Sequence, residues 1–95
     1  MARRGILKSK SPSEVVDYGI SWATRLGSDT INTSTWSFSG NDAALVIGTD
    51  NKTATTTEVR LSGGTLYEQY SITNTIVTVN GETFQQTALL TISVR

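Results

Sequence analysis

The 95-residue sequence contains no cysteine and no histidine. Without cysteine there is no disulfide and no thiolate metal ligand, which excludes a disulfide-rich secreted scaffold. Without histidine the chain lacks the commonest general base and the commonest metal-ligating side chain. The length fits one small domain, in which a modest hydrophobic core must supply the stability.

Long hydrophobic runs are missing as well. The apolar run that follows the first basic residues covers only residues 5–7, which is too short for a signal-peptide core. No stretch approaches the roughly 18 apolar residues of a membrane span. We therefore expect a protein that is kept in a soluble compartment, or built into a particle there, without membrane contact.

The charges balance in number but not in position. Eight cationic and eight acidic side chains give a net charge of zero. Four of the cations lie within the first ten residues, and the rest of the chain carries every acid. A basic segment on a mildly acidic body can dock on an acidic protein or bind nucleic acid. Because the cations are few and form one cluster, we expect protein partners rather than nucleic acid.

The N-terminal segment, residues 1–16, is basic and then polar. Pro12 biases Ser11 toward an extended backbone. We interpret this segment as an extended arm, separate from a domain over residues 17–95, that orders against a neighbour. The candidate partner-binding residues are its four cations, Arg3, Arg4, Lys8 and Lys10.

The remaining sequence shows none of the side-chain patterns that catalysis requires. The acids lie mostly beside turns, and no pair is spaced like a glycosidase dyad. No loop has the alternating oxygen ligands of a calcium site, and no serine has a histidine partner or a Gly-x-Ser-x-Gly elbow. We therefore predict a protein that is not an enzyme, with no catalytic residues, no cofactor and no metal.

From Tyr18 onward, apolar and polar residues alternate with a period of two, which is typical of half-buried strands. Abundant threonine disfavours helix. Clusters of Gly, Asn, Asp and Ser, including one at residues 49–51, separate the strands. The pattern predicts an immunoglobulin-like antiparallel β-sandwich of about six or seven strands. We place strands at residues 18–23, 30–38, 44–48, 52–61, 67–79 and 82–94.

The last hairpin can be predicted in more detail. A two-residue turn at Asn80-Gly81 would pair even with odd positions, and would set Ile72 opposite Leu89 while turning Leu90 away from the core. Parity therefore favours a loop of odd length, or a bulge; a three-residue turn that ends in a left-handed glycine at Gly81 satisfies it. Such a loop keeps the apolar residues of both strands on one face.

The aromatic residues have two interpretations. We expect Trp22 and Trp36 to fill the core, where aromatic side chains contribute much of the buried area. The alternative is an exposed anchor for a partner, or a sugar-stacking platform formed by Trp36 and Tyr67. The residues that we assign to core or structural roles are Tyr18, Trp22, Trp36, Gly63, Gly64, Tyr70 and Gly81.

Several segments of the chain form a recognisable pattern. In the first half they are KSKSPSEVVDY at 8–18, ISW at 20–22, LGSDTI at 26–31 and STWS at 34–37. In the second half they are VRLSGGT at 59–65, YSITNTI at 70–76 and TISV at 91–94. Together these segments resemble a family of small tailed-phage virion proteins, the phage fibre-tail adaptors. The turn Asn80-Gly81-Glu82 departs from the basic Gly-Arg turn of the family.

This resemblance implies an immunoglobulin-like sandwich in a virion. The family label implies a structural adaptor that links tail fibres to the tail or connector through protein–protein contacts, in several copies per particle. One alternative is a capsid decoration (cement) protein that binds major capsid subunits. A second alternative, from the aromatic residues alone, is a carbohydrate-binding module.

Overall fold

The structure is a computed structural model that describes residues 9–94 and the backbone of residues 5 and 6. This part of the chain contains seven strands and one helical turn. The strands are β1 (Gly5–Ile6), β2 (Val16–Ser21), β3 (Ile31–Gly40), β4 (Leu45–Lys52), β5 (Thr56–Gly63), β6 (Gln69–Thr78) and β7 (Thr83–Thr91); the helical turn is α1 (Ala23–Leu26).

The strands form two packed sheets. One has the order β1-β7-β6-β3 and the other β2-β5-β4. Neighbouring strands are antiparallel, except that β1 runs parallel to β7. In an immunoglobulin constant-type domain the second, fifth and fourth strands share one sheet, and the third, sixth and seventh share the other. The strand order therefore matches this topology, with β1 moved to the edge of β7. The predicted fold class is confirmed.

The core follows from strict alternation along β6. Tyr70, Ile72 and Ile76 of this strand are completely buried, as are Val59 and Leu61 of β5 in the opposite sheet. Side chains of alternate residues point to one face of a strand, so these residues meet between the sheets. The buried members of the larger cluster are Leu45, Val59, Leu61, Tyr70, Ile72, Ala88, Leu90 and Ile92.

A polar group lies within this core. Asn74 of β6 is fully buried. Its Oδ1 accepts hydrogen bonds from Trp22 Nε1 (3.1 Å) and Thr57 Oγ1 (2.6 Å). Its Nδ2 donates to Ser34 Oγ and to the Thr35 carbonyl oxygen, each at 3.0 Å. All four hydrogen-bonding positions of the amide are thus satisfied, as burial of a polar group requires.

The two tryptophans differ in environment. Trp22 is 1% exposed and stacks on Phe84, with ring centroids 6.5 Å apart. Trp36 on β3 is partly buried and packs against both core clusters. The ring of Tyr18 meets Trp36 edge-on at 5.9 Å. Both indoles therefore face the interior, as the alternation predicts. Trp36 Nε1 is buried without a partner among the described residues.

The last hairpin has the predicted odd-length loop. Tyr70 pairs with Leu90 and Ile72 with Ala88. Thr78 N donates to the Glu82 carbonyl oxygen at 2.8 Å, which closes a three-residue loop over residues 79–81. Gly81 has φ 91°, in the left-handed region where glycine carries no steric penalty. The prediction from parity is confirmed.

Several sequence-based boundaries were wrong. The turn predicted at residues 49–51 is a bulge inside β4, between Ile47 and Asp50. The chain reverses at residues 53–55 instead, where Thr53 Oγ1 accepts from Thr56 N at 3.0 Å. A threonine hydroxyl can support a turn in this way, whereas the sequence pattern assigns these threonines to a strand. Residues 23–26 form a helical turn, and Val94, beyond the end of β7, is 68% exposed.

Candidate partner-binding site

The structure describes Lys10, and its side chain points into its own domain. Its side chain is fully buried. The ammonium donates to the carbonyl oxygens of Ser11 and Gly63. Burial lowers the pKa of Lys10, an effect that the negative charge of Glu14 partly offsets. Lys10 therefore presents no charge to a partner. The other predicted arm cations, Arg3, Arg4 and Lys8, lie outside the described residues.

The described part of the arm packs along β7. Gly5 and Ile6 lie opposite Ala88 and Leu89. Lys10 N donates to the Thr91 carbonyl oxygen at 3.1 Å, and the Lys10 carbonyl oxygen accepts from Ser93 N at 2.9 Å. These contacts place Gly5, Ile6 and Lys10 beside one edge of the four-stranded sheet.

A tight turn at residues 65–68 carries the most exposed aromatic side chain of the described chain. Glu68 N donates to the Thr65 carbonyl oxygen at 3.0 Å. Tyr67, the third residue of the turn, has φ 70° and is 74% exposed. It is the only non-glycine residue with positive φ in the described part of the chain. Turns with this conformation at the third position strongly favour glycine.

The base of this turn is held rigidly. The Tyr70 hydroxyl accepts from Thr65 N (2.9 Å) and donates to Asp42 Oδ1 (2.6 Å). Asp42 Oδ2 accepts from Thr65 Oγ1 at 2.7 Å. The bond from the Tyr70 hydroxyl and then that from Thr65 hold the pKa of Asp42 below its ordinary value. A tyrosine near the start of the sixth strand that bonds back to the preceding loop is a feature of immunoglobulin-like domains.

Two glycines before the turn allow the close packing beneath it. Gly63 and Gly64 have φ of 71° and 97°. A Cβ atom on Gly64 would lie 2.8 Å from Ile92 Cδ1, and one on Gly63 would lie 2.7 Å from the Ala44 carbonyl oxygen. A side chain at Gly64 would therefore clash with the core, and one at Gly63 would clash with the backbone at Ala44. The structural role of both glycines stays a prediction, which these distances support.

Two further exposed apolar residues lie near Tyr67 along the chain or beside its turn. Leu66 in the same turn is 36% exposed, and Val94 is 68% exposed. Tyr67 N donates to the Ile92 carbonyl oxygen at 2.7 Å, which holds the turn beside the chain segment that leads to Val94. We call Leu66, Tyr67 and Val94 the tip patch. Apolar side chains grouped at one end of a small domain are typical of protein-contact surfaces.

The outer face of the three-stranded sheet carries two shallow depressions. The larger, of about 320 Å³, is lined by residues that include Asn51, Lys52 and Glu58. The smaller, of about 230 Å³, contains the exposed ion pair between Arg60 and Asp17 (2.9 Å), and hydrogen bonding to Arg60 lowers the pKa of Asp17. Within residues 9–94, no three potential metal-ligating side chains form a cluster. Neither depression contains an arrangement of groups suited to catalysis.

Comparison with known families identifies the chain. A family model described as "Podophage GP4 fiber-tail adaptor protein gp77" matches residues 10–91. The chain belongs to this family. The match confirms the resemblance drawn from the sequence segments. No curated protein matches the chain. A fibre-tail adaptor is a structural class of phage protein and not an enzyme class.

The family match covers strands β2 to β7. It begins at Lys10 and ends at Thr91, two residues joined by a backbone hydrogen bond of 3.1 Å. Tyr67 lies inside the matched region, whereas the arm cations Arg3, Arg4 and Lys8 lie outside it. No helix in the described part of this adaptor-family chain is long and apolar enough to cross a membrane.

The sequence pattern places Tyr67 at the start of a strand, whereas in the structure it precedes β6. Its left-handed backbone could not be predicted from alternation, because that pattern carries no signal for a positive φ at a tyrosine. Trp36, its proposed partner in a sugar-stacking platform, is turned inward against both core clusters. Trp36 and Tyr67 therefore do not form a common exposed face.

Proposed function

We propose that this chain is a non-enzymatic virion structural protein that links tail fibres to the tail or connector through protein–protein contacts. Membership of the fibre-tail adaptor family supports this role. The observation that carries the proposal at the level of residues is Tyr67, an exposed aromatic side chain on a strained and rigidly supported turn. We assign the tip patch as a contact surface for another virion protein.

The conformation of Tyr67 argues for a role outside the fold. The left-handed region costs a residue with a Cβ roughly 1–2 kcal/mol relative to the right-handed region. The Tyr67 hydroxyl has no hydrogen-bond partner among the described residues, and its ring is mostly exposed. The side chain therefore makes few contacts within the domain that would offset this conformational free energy. Strained residues of this kind cluster at binding sites, and tyrosine is enriched among the residues that dominate interface energies.

The arm is a second proposed contact. Arg3, Arg4 and Lys8 would meet an acidic surface of a neighbouring virion protein, whereas the buried Lys10 anchors the arm to its own domain. Each exposed ion pair contributes at most about 1 kcal/mol. The strength of such an attachment must therefore come from several copies that engage together in the particle.

Replacing Tyr67 by glycine tests the role of the tip patch. We expect Tyr67→Gly to raise the free energy of unfolding by about 0.5–1 kcal/mol, because glycine relieves the left-handed strain but gains entropy in the unfolded chain. Loss of an interface anchor of this type typically costs about 2 kcal/mol, so we expect binding to the partner to weaken about 30-fold. Thermal unfolding measures the first effect. The amount of protein in virions that carry the variant measures the second.

Two further substitutions separate the ring from the backbone. Tyr67→Ala removes the ring and retains the strain, so it should lose incorporation without gaining stability. Tyr67→Phe retains the ring and should be incorporated nearly as well as the original chain. Normal incorporation of both Tyr67→Gly and Tyr67→Ala would show that the tip patch is not a contact surface.

A further inference from the structure

The four-stranded sheet has an open edge along β3. At the two ends of β6, Thr78 N donates to the Glu82 carbonyl oxygen (2.8 Å) and the Glu68 carbonyl oxygen accepts from Ile92 N (2.9 Å). Even-numbered residues of β6 therefore direct their backbone groups toward β7. Because these groups alternate sides along an antiparallel strand, the odd-numbered residues of β6 bond to β3.

The register then fixes which groups of β3 are free. Thr35 lies opposite Thr75 and Ser37 opposite Thr73, so the odd-numbered residues of β3 bond to β6. The N–H and C=O groups of the even-numbered residues point away from the sheet. In the described part of the chain no backbone group bonds to them. The residues with these open groups are Ser34, Trp36, Phe38 and Gly40.

The other sheet edges are shorter, interrupted or covered. β4 carries a bulge and two charged residues, Asp50 and Lys52. β7 is lined by β1 and by Lys10, and β2 has six residues, with Asp17 held by Arg60. In contrast, β3 has ten residues, no charged side chain and no proline. Its irregularity is confined to its first residues. Natural proteins rarely leave such an edge unpaired.

We propose that β3 pairs with β3 of a second copy of this chain, antiparallel about a two-fold axis. The pairing joins the two four-stranded sheets into one continuous sheet. The register of the strands permits this pairing, because the free backbone groups of β3 belong to even-numbered residues in both copies, and these residues can exchange hydrogen bonds. Each strand therefore keeps Trp36 and Phe38 on the inner face.

The composition of β3 selects a second copy as the occupant. The outward row of the strand contains hydroxyl side chains only, namely Thr33, Thr35, Ser37 and Ser39. A two-fold pairing sets this row against itself, with no charges to repel and with Thr and Ser side chains able to interact across the strands. An isologous interface requires this kind of self-complementary surface.

The test is the oligomeric state of the purified full-length chain, measured by sedimentation equilibrium over a concentration series. We expect a monomer–dimer equilibrium. Ser37→Lys should abolish the dimer, because two-fold pairing brings the two introduced charges together. The matched control is Thr83→Lys, which adds the same charge at an exposed position on β7 of the same sheet and should leave the dimer intact. At a concentration where the original chain is also monomeric, equal thermal unfolding of Ser37→Lys and the original chain would exclude misfolding as the cause.

The second measurement locates the interface. Because the chain has no cysteine, one cysteine introduced by Ser37→Cys can carry a spin label at a single site. A short distance between labels is expected in the dimer, and a longer one for a label at Thr83. A chain that is monomeric at all concentrations, or a dimer that Ser37→Lys does not affect, would overturn the proposal. A monomer whose Ser37→Lys form is lost from virions would also overturn it, and would indicate a strand from a different protein. Since the measurement uses the isolated chain, its result does not depend on the adaptor role.

Discussion

Replacing Asn74 by alanine is expected to lower the free energy of unfolding by about 3–5 kcal/mol, a large part of the stability of a domain of this size. Asn74 is fully buried and makes four hydrogen bonds. The substitution leaves a cavity. It also removes the acceptor of the Thr57 hydroxyl, one acceptor of Trp22 Nε1 and the donor to Ser34. Denaturant unfolding of the purified chain measures the loss.

A double-mutant cycle resolves the hydrogen bond to the indole. Trp22→Phe removes the N–H group that donates a hydrogen bond to Asn74. The substitution should therefore lower the free energy of unfolding by less in the Asn74→Ala background than in the original chain. Ser71→Ala, on the outer face of the same strand, is the control and should change stability by less than about 0.5 kcal/mol. Strict additivity of the Trp22 and Asn74 substitutions would show that the two side chains do not interact.

Replacing Lys10 by alanine is expected to lower the free energy of unfolding by about 2–4 kcal/mol. The aliphatic stem of Lys10 is buried, and its ammonium satisfies the carbonyl oxygen of Gly63 beneath the turn that holds Tyr67. The control is Lys52→Ala, which removes an exposed lysine from β4 and should be nearly neutral. Equal and small effects of the two substitutions would mean that Lys10 is at the surface and free to contact a partner.

The pH dependence gives an independent test of Lys10 burial. The pKa of Lys10 is lowered in the folded chain relative to its ordinary value of 10.5. Between the lowered pKa and 10.5 the unfolded chain therefore binds more protons, and stability rises with pH in this window. The original chain should gain stability relative to Lys10→Ala as the pH rises through the window. If the difference in free energy of unfolding between the original chain and Lys10→Ala does not vary with pH, the ammonium of Lys10 is not buried.

The fold could be predicted from the sequence because its signals are local. Alternation fixes which face of a strand is buried, and the parity of the last hairpin favours a three-residue loop ending at Gly81, which the structure shows. The turn at residues 53–55 was missed because Thr53 supports it through its side chain, and threonine is also the commonest signal for a strand in this chain.

The candidate site was less predictable, because it depends on contacts between residues far apart in sequence. Lys10 resembles the other arm cations until the position of the Gly63 carbonyl oxygen, 53 residues later, is known. The turn that holds Tyr67 is fixed by the hydrogen bond from Tyr67 N to the Ile92 carbonyl oxygen, which no local pattern reveals. Asn74 shows the same limit, since alternation places it in the core but does not show which polar groups it meets.

The copy number of this protein in purified virions tests the adaptor role most directly. Quantitative mass spectrometry against the tail proteins and the major capsid protein provides the measurement. The adaptor role predicts a copy number close to those of the tail and connector proteins. A copy number comparable to that of the major capsid protein would contradict the adaptor role and indicate capsid decoration, and absence from the particle would contradict any structural role in the virion.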